Sequence, residues 1–545
     1  MLTQIEKKKT PRKKKAGSRK EAPDVNPSLP SNGARPLRTL LLEAGYDPGD
    51  WGLEANPLIT GLADHSQKVA PGNLFVALKG ASADGHVFIP DALARGAAAI
   101  MVQMSASSSA GVPLLCVPDT REALARLAHA FFGQPTKNKL VCGITGTNGK
   151  TTTAFLLRSC LEAAGHPTAL FGTIEYDLGT EKIKAHNTTP SSLDLARYFD
   201  TMTKNGLRAA VMEVSSHAIH QKRIQGIHFT VGIFTNLTRD HLDYHDNMLS
   251  YKEAKWSLFQ DYIAKNPDGV AVFNWDDPVG REFAERYAKD KVTYGCDKPA
   301  DVFPLQYFLT PLGSRILLNM RGARQEIRTR LIGRFHLQNI CAAAAGAWAA
   351  GLSPDQIARG IENLASVPGR FEYVNQGQPF SVIVDYAHTP DALERLLSSA
   401  CDFNPGRIII VFGCGGNRDR EKRPLMGAAV ARSLLRNSRD FAIITNDNPR
   451  GEAPESIAQH AEEGLLSLPG VSGRYAVILD RKAAIRQAIS MAGEGDMVII
   501  AGKGHEDYQI VGTRTLPFDD RETAREILGE LGFSSRSGEE RGGGQ

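Results

Sequence analysis

One stretch constrains this chain more than any other: Val141-Cys-Gly-Ile-Thr-Gly-Thr-Asn-Gly-Lys150-Thr-Thr-Thr, a glycine-rich turn between an apolar run and an Ala/Leu-rich segment. Strand, tight turn and helix in that order form the unit in which backbone N–H groups and a lysine cradle nucleotide phosphates. Gly146 and Gly149 let the backbone approach an anion with no Cβ in the way. Lys150 would neutralise β/γ-phosphate charge, and the Thr151 hydroxyl would ligate Mg²⁺. The common pattern places its first glycine five residues before the Gly-Lys pair; here Ile144 stands there, and the glycines fall at Gly143, Gly146 and Gly149. A plain glycine-rich turn capping a helix explains the glycines alone, but Gly-Lys-Thr-Thr in this setting favours phosphate.

At 545 residues the chain exceeds a single core, so three or four domains are expected. Apolar content of 42% and charged content of 23% are those of a soluble globular protein. No run of 18 apolar residues occurs, and the Ala/Gly-rich segment from Ala342 to Leu352 is too short to span a bilayer. The seven cysteines lack Cys-x-x-Cys spacing, which suggests neither a disulfide framework nor a zinc site. With no secretory apolar segment at the N-terminus, a reducing cytoplasm is the default. Residues 1–20 hold nine Lys/Arg against one Glu, a net of +8, so the rest of the +4 chain carries −4. The basic run Lys7 to Lys20 has no interleaved aromatics to stack on bases, and reads as a solvated tail rather than a nucleic-acid or membrane anchor.

Residues 1–35 and 534–545 read as disordered tails, bracketing domains at 36–138, 139–366 and 367–533. In the first, Asn73–Lys79 and Ala97–Val102 are expected strands around a helix at Ile89–Gly96. The second alternates the strands Ala209–Val214, Val231–Thr235 and Gly269–Asn274 with amphipathic segments, the α/β signature of a mostly parallel sheet. The third has expected strands at Ser381–Asp385, Arg407–Phe412, Phe441–Thr445 and Met497–Ala501, each ending in a polar, Gly-containing loop where open α/β sheets bind ligands.

Glu213-Val-Ser-Ser-His217 and Thr238-Arg-Asp-His241-Leu-Asp243 follow neighbouring strands. Taken singly, Glu213 and His241 are more often helix caps or satisfied polar groups; together, beside a phosphate loop, they suit a metal, although Mg²⁺ prefers oxygen and keeps several waters. Lys255 lies in a short amphipathic helix, and on the residues alone it reads as a snorkelling lysine. Beside Mg²⁺ it becomes useful only with its charge inverted, for example as a carbamate formed from CO₂. Asn187-Thr188-Thr189-Pro190 and Ser215…Gln221-Lys-Arg223 supply hydroxyls, amides and a guanidinium that suit a diphosphate and a polar acyl group.

Gly146-Thr147-Asn148-Gly149-Lys150-Thr151, Glu213-Val-Ser-Ser-His, Thr-Arg-Asp-His-Leu-Asp-Tyr-His245, Ala-Lys255-Trp and Asp385-Tyr-Ala-His-Thr-Pro-Asp-Ala-Leu393 together resemble the Mur ligase family, over about residues 60–530. The resemblance implies an α/β, three-domain architecture with a central P-loop-type mostly parallel sheet and a Rossmann-like C-terminal domain. It implies ATP-dependent addition of amino acids to a UDP-muramoyl peptide, with Mg²⁺ and a carbamylated Lys255. Gly146 through Thr152, Asn339, Arg370 and Asp385 resemble the ATP contacts; Thr151, Glu213, His241 and Lys255 resemble the metal site; Lys150, Lys255, Glu213 and His241 carry the catalysis. Asn187, Thr188, Thr189, Ser215, Gln221 and Arg223 resemble contacts to the UDP-muramoyl dipeptide. The usual Asp-Ser-Arg of the first domain is here Asp64-His-Ser66-Gln, and only Ser66 is carried over.

Asp447-Asn448-Pro449-Arg450 resembles the tetrad of members that add meso-diaminopimelate; standing alone it would be an Asx-Pro turn. A second amino-acid head group calls for arginine against its carboxylate and acid against its ammonium. Arg418, Arg450, Glu506 and the Gly502 turn would supply these. A lysine-adding relative is the alternative. The expected partners are UDP-MurNAc-dipeptide and meso-diaminopimelate, with no nucleic acid and no membrane, for a cytoplasmic monomer.

Overall fold

The computed structural model describes residues 33–80, 83–103, 111–242, 244–297, 299–310 and 313–533. The basic run Lys7 to Lys20, residues 1–32 of the expected N-terminal tail, Asp243 and the tail at 534–545 lie outside the described residues. Arg35, assigned above to the tail, instead pairs with Ile59 in a short antiparallel ladder, Arg35–Pro36 against Leu58–Ile59.

Gly61–Ala63, Asn73–Val76, Ala99–Gln103 and Leu114–Val117 form a four-stranded parallel sheet in chain order. All four side chains of Asn73–Val76 are buried, as a strand covered on both faces requires. The covering helix Thr120–Phe131 starts at Asp119, whose carboxylate accepts from the N–H groups of Arg121 and Glu122.

The central sheet has eleven strands. Its parallel middle runs Thr168–Phe171, Ala209–Glu213, Leu140–Thr145, Val231–Phe234, Val270–Asn274 and Lys291–Tyr294. Leu140–Thr145 thus lies between the strands ending at Glu213 and Phe234, and the loops after all three leave one edge side by side. An antiparallel meander, Val302–Thr310, Gly313–Met320 and Ala323–Thr329, extends one side of the sheet beyond what the sequence reading expects. The Ala/Gly-rich segment forms the second half of helix Arg334–Ala349, buried on the sheet, and the turn that follows it. Small side chains let it approach closely: a Cβ on Gly346 would sit 2.4 Å from Ile233 Cδ1.

The third sheet runs Glu372–Tyr373, Ser381–Asp385, Met497–Ala501, Ile408–Cys414, Phe441–Asn446 and Tyr475–Val477, parallel except for its first pair. The last strand of this sheet in chain order, Met497–Ala501, is inserted between two earlier ones, so the strand order reverses there, and a crevice opens at the carboxyl ends. Asp385, Gly502, Gly415 and Asp447 stand at or just beyond the ends of four adjacent strands. No helix among the described residues is long and apolar enough to cross a membrane.

Candidate active site

The turn after Leu140–Thr145 is held by its glycines. Gly146 has φ +145°, and a Cβ there would lie 1.9 Å from Thr235 Oγ1; Gly149 has φ +86°, and its Cβ would lie 2.4 Å from Asn339 Oδ1. Gly143 serves packing instead: it sits inside the strand, 2.7 Å from Phe229 Cε1 were a Cβ present. Ile144 beside it is fully buried, so the missing first loop glycine is a core position in this fold.

Lys150 opens the helix and donates to the Gly146 and Thr147 carbonyls at 2.9 and 2.8 Å. Burial pushes its ammonium below the usual lysine range, while Glu213 and Asp240 pull it back. Lys255 is buried too, donating to the same Gly146 carbonyl at 2.9 Å and lying 4.4 Å from the Tyr251 ring centroid. Burial, then the neighbouring Lys150, drive it well below the ordinary lysine value, toward the neutral amine. It is therefore no snorkelling surface lysine.

A cleft of about 230 Å³ opens over this loop, lined by Thr147 through Thr152, Thr173, Thr188, Glu213, Asp240, His241, Asn339, Arg370 and Asp385 among others. Glu213 is buried, accepting from the Thr173 N–H at 2.9 Å and the Thr173 hydroxyl at 3.1 Å. His241 has φ +55°, with its Nε2 3.6 Å from Asp240 and its ring 4.9 Å from that of His217. Burial works against the Asp240 carboxylate, but His241, His388 and Lys422 hold its pKa below the usual value. Asp240 is a site residue the sequence reading passed over; its adjacency to His241 at a strand end was the available signal. Among the described residues no three His, Cys, Asp or Glu groups converge as a metal cage. The donors that face the cleft are chiefly hard oxygens — Thr151, Thr173, Glu213 and Asp240 — a set that fits Mg²⁺ completed by phosphate and water.

The third domain closes the other side. Arg370 donates to Thr151 Oγ1 at 3.0 Å and stacks 4.6 Å from the Tyr386 ring centroid. Asp385 accepts from the Phe371 and Ala387 N–H groups at 2.7 and 2.8 Å, and burial raises its pKa. Asp391, also overlooked in the sequence, accepts from Asn148 Nδ2 at 2.8 Å across the domain junction.

The residues expected for the UDP-muramoyl peptide adjoin this cleft but divide in two. Thr188 lines it, and Asn187 beside it is exposed. Gln221 and Arg223 are tied together at 2.7–3.0 Å, and Arg223 donates to the Thr189 carbonyl at 2.9 Å. Thr189 is tied into the wall of the site. Its side chain is fully buried, with the hydroxyl donating to the Glu213 carbonyl at 2.9 Å and accepting from the Ser215 N–H at 3.1 Å. Ser215 caps helix Ser216–His220 by accepting from the Ala218 N–H at 3.2 Å. Ser66 lies apart in the first domain, buried, close to Asp91, whose carboxyl it helps hold below the usual pKa.

The third-domain crevice gathers the remaining expected residues. Arg450 (φ +52°) donates to the Gly416 carbonyl at 3.0 Å. A Cβ on Gly415 would meet Arg450 Nη1 at 3.1 Å and Arg418 Cγ at 3.6 Å, so the two arginines flank one glycine. Pro449 packs its carbonyl against Gly416, leaving 1.9 Å to where a Cβ would stand. Asn448 Nδ2 donates to Glu506 Oε2 at 2.9 Å, and Asp447 Oδ2 lies 2.9 Å from the Cβ position of Gly502 (φ +118°). The Gly502 N–H donates to the carbonyl of Asp385, which lines the cleft, at 3.0 Å, and the ring of Tyr386, also in the lining, lies 4.9 Å from that of His505, so crevice and cleft are neighbours in the fold.

Three segments match known domains in order: residues 58–132 the Mur ligase family, catalytic domain; 144–347 the Mur ligase middle domain; and 369–504 the Mur ligase, glutamate ligase domain. The UDP-N-acetylmuramoyl-L-alanyl-D-glutamate--2,6-diaminopimelate ligase of Solibacter usitatus is 47% identical over 475 residues, covering 87% of this chain and 94% of the relative. The enzyme of that name from Geobacillus thermodenitrificans is 44% identical over 499 residues, covering 91% and 99%. A solved structure of a ligase so named aligns at TM-score 0.61 and 30% identity, over 87% of this chain and 96% of that one. MurF from Acinetobacter baumannii, at 20% identity and TM-score 0.61 over 91% and 99%, shares the fold. Matched in every domain and alike over nearly its relatives' whole length, the chain belongs to the Mur ligase family.

Proposed function

We propose that this protein is an ATP-dependent, ADP-forming ligase that joins meso-2,6-diaminopimelate to UDP-N-acetylmuramoyl-L-alanyl-D-glutamate, a cytoplasmic step of peptidoglycan precursor synthesis. One observation supports the amino-acid choice most directly: two arginines and two acids at adjacent strand ends, next to Asp385 of the phosphate-loop cleft. Arg418 and Arg450 suit the distal carboxylate, and Asp447 and Glu506 the distal ammonium. L-Lysine lacks that carboxylate and would leave the arginines without a partner. The relatives named above carry the same activity in their names.

In this reading an oxygen of the D-glutamate carboxylate attacks the γ-phosphorus of ATP, and ADP leaves. Lys150 and the N–H groups of the loop stabilise charge on the phosphoryl group. A deprotonated amine of diaminopimelate then attacks the acyl phosphate carbon, and inorganic phosphate departs. Thr151, Glu213, His241 and Lys255 (the last as a carbamate) would hold Mg²⁺, which when bound spreads the charge of the transferring phosphoryl group. Arg370 and Asp391 bring the third domain onto the phosphate loop, aligning the amine and keeping water from the acyl phosphate. Asn187, Thr188, Ser215, Gln221 and Arg223 face the UDP-peptide, with Ser66 toward its uridine end and Thr189 bracing the wall from behind.

The test supplies ATP, Mg²⁺, UDP-muramoyl dipeptide and one amino acid at a time, follows ADP, and weighs the product. ADP and a tripeptide product with diaminopimelate are expected. Faster turnover with L-lysine would replace this reading by the lysine-adding one, and absence of ADP with every amino acid would end it.

A further inference from the structure

Lys503 sits at the floor of the third-domain crevice with its side chain fully buried. Its Nζ donates to Glu506 Oε2 at 2.9 Å and to Asn448 Oδ1 at 3.4 Å, and stands 3.9 Å from Asp447 Oδ1. The Tyr508 ring centroid lies 5.3 Å away. One ammonium therefore touches both acids assigned above to the amino acid, and the asparagine between them. A buried cation persists only when paired and hydrogen-bonded, and these partners satisfy it.

Two consequences follow from the geometry. Asn448 and Lys503 both donate to Oε2 of Glu506, so Oε1 is left without a hydrogen-bond donor among the described residues. The carboxylate is pinned with one fixed acceptor available. Second, two carboxylates and one ammonium leave this wall a net charge of one negative. That balances a single ligand ammonium, where two uncompensated acids would leave a second buried negative charge unmet.

We infer that Lys503 is a positioning and charge-balancing residue for the incoming amino acid: it fixes Glu506 and trims the acidic wall to the charge of one ammonium group. This deepens the diaminopimelate reading and rests on it. Lys503 acts through Glu506 and Asp447 rather than on the reacting atoms, so its removal weakens amino-acid binding and leaves the nucleotide side intact.

The experiment measures KM separately for ATP, UDP-muramoyl dipeptide and diaminopimelate in wild type, Lys503→Met, Glu506→Gln and the double variant. A lost hydrogen bond to a charged group corresponds to about 10–100-fold in binding. Lys503→Met is expected to raise the diaminopimelate KM by that factor, with both other KM values within about twofold. Because Lys503 works through Glu506, the double variant should lose less than the product of the two single effects. Equal rises in all three KM values, multiplicative single effects, or an unchanged diaminopimelate KM would each overturn the inference. If Lys503→Met does not fold, Lys503→Arg keeps the cation but moves its donors off Oε2, and must show the same selective rise. A wild-type chain that releases no ADP with diaminopimelate sinks the functional reading itself, whereas an active wild type with an indifferent Lys503 sinks only this inference.

Discussion

Replacing Gly149 by alanine isolates what the phosphate loop demands of its backbone. Gly149 has φ +86°, and a Cβ there would stand 2.4 Å from Asn339 Oδ1 and 3.9 Å from Thr235 Cβ. Holding alanine in the left-handed region costs about 1–2 kcal/mol. The oxygen contact is too close to persist, so the Asn339 amide must swing aside, away from its expected contact with ATP. With helix Lys150–Ala163 starting at the next residue, the loop cannot shift without moving Lys150. The thermal midpoint should fall by several degrees, at about 2–4 °C per kcal/mol for a domain of this size. The ATP KM should rise about tenfold or more, as expected when a nucleotide contact is displaced, while the diaminopimelate KM stays near wild type. Asn339→Ala alone should raise the ATP KM without the thermal loss, and adding Gly149→Ala to it should raise KM little further, since the clashing amide is gone. Wild-type stability and ATP KM in Gly149→Ala, or full additivity in the pair, would refute this account.

Three other expectations follow from equally local observations. Lys255→Ala should lose about 10–100-fold or more in kcat, with partial recovery in short carboxylic acids that replace a carbamate; undiminished turnover would remove Lys255 from the metal site. Arg450→Ala should raise the diaminopimelate KM about 10–100-fold and leave ATP binding as it is, measured by the same ADP assay with each substrate varied. His129 is buried between the first and central domains with neither ring nitrogen hydrogen-bonded, and burial depresses its pKa to about 3. The unfolded chain takes up that proton near pH 6.5 and the folded one does not, so this contribution is full above pH 6.5 and is lost as pH falls toward 3. Between pH 7 and pH 5 the loss is about 2 kcal/mol; His129→Leu should remove it, and an equal drop in denaturant stability for both proteins would contradict the assignment.

The strands that carry chemistry were legible because each combines a short apolar run with a polar, glycine-bearing exit. Ser381–Asp385 and Met497–Ala501 match their expected ranges, and Ala209–Glu213 and Val231–Phe234 each end one residue earlier than read. The meander at 302–329 was missed, although Gly313–Met320 alternates buried and exposed positions nearly every other residue. Its pattern carries Arg and Asn where a core strand has Val and Ile, and no motif draws attention to it. At the site, charge and glycine announced Lys150, Arg450 and Glu506. Asp391 and Lys503 stayed silent because they reach Asn148 and Asn448, 243 and 55 residues away, which local spacing does not encode. The hydroxyl of Thr189, read from the sequence as a ligand group, also binds Glu213 and Ser215, partners that spacing does not announce.

The two lysines of the cleft show how burial divides labour between identical side chains. Lys150 and Lys255 donate to one carbonyl, that of Gly146, each at 2.9 Å, so two ammonium groups would face each other in a confined space. Like charges so placed do not both ionise freely; the site with nearer counter-charges keeps its proton. Lys150 has Glu213 and Asp240 to hold its charge, whereas Lys255 has Asp240 alone, with Lys150 itself working against it. The same repulsion that suits Lys150 to a phosphate thus drives Lys255 toward the free amine, the only form that adds CO₂. In the proposed carbamate the repulsion would become an attraction, because a carbamate beside Lys150 would form an ion pair. Lys150→Met should therefore weaken carbamylation of Lys255 by removing that partner, even as it relieves the repulsion. ¹³CO₂ labelling read by NMR decides between these two opposed effects: a carbamate signal that grows in Lys150→Met would mean that the pairing is the weaker one.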